Sequence, residues 1–209
     1  MPRRARENTL PSFAAALDAG ADGIELDVHA TADHVVVVHH DPHLPGGRPI
    51  ASMAWDELRR TAEGAHVDVP TLAAVCELVG ARAELFVEIK GAGIEEDVLG
   101  VLARHHGRSA IHSFDHSTIA RIARRDGSLR LGLLFERRVG EVAALMTMHG
   151  ARDAWPHHSL VDEPFVAAVH GLDGRVIAWT ANAPGEIARL IALGVDGICT
   201  DDVTLIAPS

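Results

Sequence analysis

Short apolar runs alternate with helix-periodic stretches along this chain. Strand-like runs lie at GIELDV (23–28), VVVVHH (35–40), ELFVEIK (84–90), AIHSF (110–114), RLGLLF (130–135), RVIAWT (175–180) and DGICT (196–200). Between them the apolar spacing predicts helices over 10–19, 54–62, 71–79, 94–105, 116–125, 139–148, 163–170 and 184–193, with Gly20 and Gly194 placed to end two of them. Strands that are apolar throughout and alternate with helices belong to a parallel sheet covered on both faces. Repetition beyond five such units without a Gly-rich dinucleotide loop favours an α/β fold of the TIM-type (β/α) barrel over a doubly wound sheet. The stretch DAWPHHSLV (153–161) is a candidate for one more short strand. Too few residues separate 23–28 from 35–40 to hold a helix, so those runs are expected to pair as a hairpin. Pro and Gly cluster at 42–49, which reads as a loop, and no repeat of solenoid period occurs.

A length of 209 residues with 47% hydrophobic content suits one core, so a single domain over 1–209 is expected. The formal charge of -10, with 19 Lys and Arg, offers no basic stripe for a phosphate backbone and argues against nucleic acid. No apolar run is long enough to span a bilayer, and residues 1–7 lack the apolar stretch of a secretion signal, so stable membrane insertion is not expected and a cytoplasmic location is. Cys76 and Cys199 are far apart, without metal-type spacing, and read as free thiols. Nothing in the pattern indicates an oligomeric state.

Within GIELDV, Glu25 and Asp27 share one face of a strand, while Ile24, Leu26 and Val28 share the other. Two carboxylates on one face of an apolar strand are costly unless a cation or a basic side chain neutralises them. Oxygen donors alone select a hard cation, Mg²⁺ or Ca²⁺; the alternative is a strand end open to solvent. ELFVEIK supplies a third carboxylate, Glu88, and on the same face Lys90. A metal with an ammonium beside it suits an anionic substrate, whereas the plainer alternative is a salt bridge of Lys90 with Glu88 or a neighbour. VVVVHHDP ends in His39, His40 and Asp41, where an imidazole at a strand end can exchange protons near neutral pH. Adjacent strand residues face opposite ways, so one of the two histidines is expected at a site, with Asp41 placed to orient it. Of the 14 histidines, the other pairs, His105 with His106 and His157 with His158, read as surface groups. Trp179 and Asn182 follow a strand, and Asp201 follows the last one; Trp179 either packs against an organic group or belongs to the core.

The segments ENTLPSFAAALDAGADGIELDV, VVVVHHDP, VPTLAAV, VEIK, SFD, WTAN and GVDGICTD run in an order and spacing that resembles the glycerophosphodiester phosphodiesterases across nearly the whole chain. The resemblance implies a TIM-type barrel that hydrolyses a small-molecule glycerophosphodiester to glycerol 3-phosphate and an alcohol with a divalent cation. It implies that Glu25, Asp27 and Glu88 are metal ligands, His40 one of two acid/base histidines, Lys90 a phosphate contact and Trp179 the glycerol side of the pocket. Family members open with a strand ending in His-Arg-Gly shortly before the Glu-Asn-Thr motif, and here Glu7 follows Met1 by six residues. Two expectations follow: either Met1 is internal to a longer reading frame, or the chain is a metal or phosphodiester binder with impaired catalysis. A related phosphodiester enzyme of the same superfamily acting on lysophospholipids or sphingomyelin-like lipids is the remaining alternative, against which stands the aromatic content of 4%.

Overall fold

The computed structural model describes residues 5–206, in two compact units divided after Ser109. In the first unit, α1 (Leu10–Asp18) leads into β1 (Gly23–Ala30). The Thr9 hydroxyl caps α1 by accepting from Ser12 N–H, Pro11 occupies its first turn, and Gly20, at φ 86°, turns the chain away after it. β1 pairs antiparallel with β2 (Val36–Val38), Val28 opposite Val38, which is the hairpin the spacing predicts. On its other side β1 pairs parallel with β3 (Glu84–Ile89), in a register that sets Glu25 opposite Phe86 and Asp27 opposite Glu88. Between β2 and β3 lie α2 (Trp55–Gly64) and α3 (Leu72–Val79), and α4 (Glu95–Leu102) follows β3. The segment after β2 builds a small core of its own, in which Leu44, Ile50, Met53, Leu58, Ala62 and Val67 gather around Val37 of β2. The main apolar layer comes from Ile24, Leu26 and Val28 of β1 with Leu85 and Val87 of β3, all buried.

The second unit consists of five parallel strands in sequence order: β4 (Ser109–Ser113), β5 (Arg130–Phe135), β6 (Asp153–Pro156), β7 (Arg175–Ala178) and β8 (Gly197–Ile198). The crossovers are α5 (His116–Arg125), α6 (Val142–His149), α7 (Glu163–His170) and α8 (Pro184–Ala192). Asp115 and Asp162 cap α5 and α7 by accepting from Ser117 N–H and Phe165 N–H, and Gly150, at φ 69°, closes α6. Gly132 of β5 leaves room for the Trp155 indole, since a Cβ there would stand 2.8 Å from its Cδ1. Trp155 in turn stacks on His112 of β4 at 4.2 Å. One charge is fully buried among these strands: Asp153 of β6, gripped by Arg130 of β5 (2.8 Å) and twice by Arg175 of β7 (3.0 and 2.7 Å). Among the described residues no helix is long and apolar enough to cross a membrane.

Candidate active site

β1 reads out its period-two pattern in three dimensions. Its apolar residues Ile24, Leu26 and Val28 share one buried face, while Glu25, Asp27 and, one step further, His29 share the opposite face. Parallel pairing with β3 then lays Glu88 beside Asp27, and both carboxylates are buried, each about 6% exposed. Lys90, two residues beyond Glu88, puts its Nζ 3.2 Å from Asp27 Oδ1 and 3.0 Å from Glu88 Oε1. The salt bridge weighed as the plainer reading of Lys90 is therefore present, and it spans both carboxylates rather than one. Burial works against the charged Lys90, but the two carboxylates outweigh it, so its pKa stands above the ordinary lysine value.

Glu25 offers a carboxylate oxygen within 4.8 Å of one from Glu88. Burial first, then the negative charge of Asp27, push its carboxyl well above the usual range, with Lys90 and His40 acting the other way. Three clustered carboxylates served by one ammonium leave negative charge uncompensated, and a hard divalent cation fits that donor set.

Asn8 was not singled out from sequence, yet it fastens Asp27 in place. Its Nδ2–H donates to Asp27 Oδ2 at 2.8 Å, and its Oδ1 accepts from the Asp27 N–H at 3.2 Å. Asn8 does this from a left-handed backbone conformation (φ 56°), which asparagine tolerates better than most residues. A signal existed in its position directly before the Thr9 helix cap.

After β2 the two neighbouring histidines part company: His39 is buried and His40 exposed. The His40 Nδ1–H donates to Asp41 Oδ1 at 2.8 Å, which leaves Nε2 as the ring's acceptor nitrogen. That hydrogen bond holds the Asp41 carboxyl below its usual pKa. His39 Nδ1 lies 2.8 Å from the carbonyl oxygen of Asp41, and His29 Nε2 lies 3.3 Å from that of His40. Burial lowers the pKa of His29.

Trp179 belongs to the second unit, directly after β7. Its indole N–H donates to the Trp155 carbonyl at 2.8 Å, and its ring meets Phe114 and His157 edge to face at 5.5 and 5.3 Å. Phe114 is 43% exposed, so this aromatic corner at the ends of β4, β6 and β7 reaches solvent. Asn182 and Asp201 bind each other: Asn182 Nδ2–H donates to Asp201 Oδ2 at 2.8 Å, and Asn182 Oδ1 accepts from Asp201 N–H at 2.9 Å and from the Thr200 hydroxyl at 3.0 Å. Their work is to close the chain after β8.

Comparison with known proteins bears on the family and the fold. A glycerophosphodiester phosphodiesterase from Caldanaerobacter subterraneus subsp. tengcongensis is 30% identical, over 94% of this chain and 88% of its own. The crystal structure of a glycerophosphodiester phosphodiesterase from Thermotoga maritima matches with a TM-score of 0.85 at 25% identity, covering 97% of this chain and 92% of that one. An Oleispira antarctica phosphodiesterase, solved in complex with the product sn-glycerol-3-phosphate, shares the fold with a TM-score of 0.83 at 22% identity, covering 93% of this chain and 87% of that one. The fold is thus the α/β, TIM-type barrel class expected from the strand and helix pattern. With the model of the glycerophosphoryl diester phosphodiesterase family matching residues 1–205, the chain belongs to that family.

Proposed function

We propose that this chain hydrolyses glycerophosphodiesters to glycerol 3-phosphate and an alcohol, at the cluster of Glu25, Asp27, Glu88, Lys90 and His40 and with a divalent cation, Mg²⁺ or Ca²⁺. The observation that carries the reading is the β1–β3 register, which buries Asp27 beside Glu88 with Lys90 bridging them and Glu25 on the same face. Glu25, Asp27 and Glu88 would hold the cation, which when bound polarises phosphate oxygens and offsets charge building at phosphorus. Lys90 adds an ammonium N–H for a phosphate oxygen. His40, its Nδ1–H held by Asp41, takes up or returns a proton at Nε2. Trp179, edge to face with Phe114 in the second unit, presents an apolar aromatic surface of the kind that packs against the carbons of glycerol. The net change breaks the P–O bond to the alcohol, puts a water-derived oxygen on phosphorus and leaves a proton on the alcohol.

The test is release of glycerol 3-phosphate from glycerophosphocholine and glycerophosphoethanolamine with Mg²⁺, with Ca²⁺ or with chelator. Cation-dependent release that disappears in Glu25→Gln, Asp27→Asn and Glu88→Gln supports the proposal. Cation binding by the wild-type chain with no release from either substrate would overturn it in favour of a non-catalytic binding protein.

A further inference from the structure

His40 leaves the sheet just as its residue pairs run out. The last β1–β2 pair is Val28 with Val38, and beyond it His39 N–H donates to the Asp27 carbonyl at 3.0 Å. The next two carbonyls, of His40 and Asp41, each meet a buried imidazole. A carbonyl oxygen only accepts, so His29 must carry its proton on Nε2 and His39 on Nδ1. Both rings are less than a tenth exposed, one from β1 and one from just beyond β2, yet they converge on the two peptide units flanking Asp41, the residue that holds the exposed His40. Buried histidines serving general packing would have no reason to share that target.

We propose that His29 and His39 are positioning residues, whose ring N–H groups hold the His40 and Asp41 carbonyls and so fix the orientation of the His40 imidazole and of its Asp41 partner. This rests on the reading of His40 as the proton-transfer group. The geometry that matters is the pair of side chains joined by the 2.8 Å bond from His40 Nδ1–H to Asp41 Oδ1, and that pair keeps its alignment only while the two peptide units carrying it stay still. Replacing either ring by an apolar side chain leaves a carbonyl without its donor and lets this segment rotate.

The experiment compares His29→Leu and His39→Leu with His29→Gln and His39→Asn, whose amide N–H groups can reach where Nε2 and Nδ1 stand. Two readouts are taken on the full chain. One is the His40 tautomer, read by long-range proton–nitrogen correlation of labelled histidines in mildly alkaline buffer and assigned with His40→Asn. The other is kcat and KM for glycerophosphocholine. The leucine variants should convert His40 from its Nδ1–H form to a mixture and lower kcat roughly tenfold to a hundredfold with KM little changed, while the amide variants restore both. A His40 signal unchanged in the leucine variants overturns the proposal. So does an equal loss in leucine and amide variants, which would mean that ring shape and not the hydrogen bond matters. Should the wild-type chain turn over no substrate, the tautomer readout still decides this proposal, so its failure stands apart from that of the proposed activity.

Discussion

Replacing Asp153 by alanine removes the buried carboxylate that Arg130 and Arg175 share in the second unit. Asp153 has no solvent exposure, whereas the arginine side chains are 35% and 26% exposed. The carboxylate accepts from both: two Nε–H groups reach Oδ1, and the second Arg175 contact reaches Oδ2. Without it, both guanidinium groups lose their shared buried acceptor. Breaking a buried ion pair from one side costs about 3–5 kcal/mol, and the partial exposure of both arginines places this case near the lower end, at about 3 kcal/mol. For a protein of this length each kcal/mol lowers Tm by about 2–4 °C, so the midpoint should fall by roughly 6–12 °C. Urea titration followed by circular dichroism measures the change, with an unchanged slope showing that the unfolded state is not involved. The triple variant Arg130→Met, Asp153→Leu, Arg175→Met should recover all but about 1 kcal/mol, because it removes the desolvation cost together with the pair. A loss below about 1 kcal/mol in Asp153→Ala would refute the reasoning, since it would place the three charges in the regime of screened surface pairs.

Other outcomes follow from features already described. Asn8→Ala should weaken cation affinity and stability together, since it unfastens Asp27 and leaves in the left-handed conformation an alanine, which tolerates it less well than asparagine; Asn8→Gly relieves the backbone share alone, and calorimetric titration of both separates the two effects. Lys90→Met should lower the Tm of the chelated protein by more than that of the protein in saturating Mg²⁺, because Asp27 and Glu88 then depend on the cation for neutralisation. Gly132→Ala should cost about 1–3 kcal/mol by driving the Trp155 indole off His112, visible as a loss of near-ultraviolet circular dichroism and of Tm. Asp115, whose carboxyl is held below its usual pKa first by the Ser117 hydroxyl, contributes stability that is present above the unfolded carboxylate pKa and lost as pH falls through the lower native value. Asp115→Asn keeps the helix cap and should flatten that acid-side portion of a Tm-against-pH profile.

Much of this could be read from one chain because burial is periodic. Glu25 and Asp27 stand out as polar interruptions of an apolar strand, and the apolar spacing found each α-helix of the described residues to within a few residues. The disagreements come from end effects. The run 35–40 reads as strand, but β2 stops at Val38 because the rings of His39 and His40 take the chain out of the sheet. The run 196–200 reads as strand, while β8 is only Gly197–Ile198, since Thr200 and Asp201 turn toward Asn182. A stretch read as helix from 139 begins only at Val142, where no side chain caps it. What stayed hidden depends on register between distant segments. Nothing local to Lys90 says that Asp27 will lie as close to it as Glu88 does, and nothing in His29 or Asn8 names its partner across the hairpin or beyond the first helix.

The small core that Leu44, Ile50, Met53 and Leu58 form around Val37 has a consequence for how sequences of this kind can vary. A segment that buries its own apolar groups needs little from the parallel strands and can be rebuilt, lengthened or exchanged at modest cost to the rest of the fold. It is nonetheless rooted at residues 39–42, where His40 stands. With His40 as the proposed proton-transfer group, drift in that outlying piece would bear on turnover, and natural variation there would be a route to retuning it without altering any carboxylate of β1 or β3.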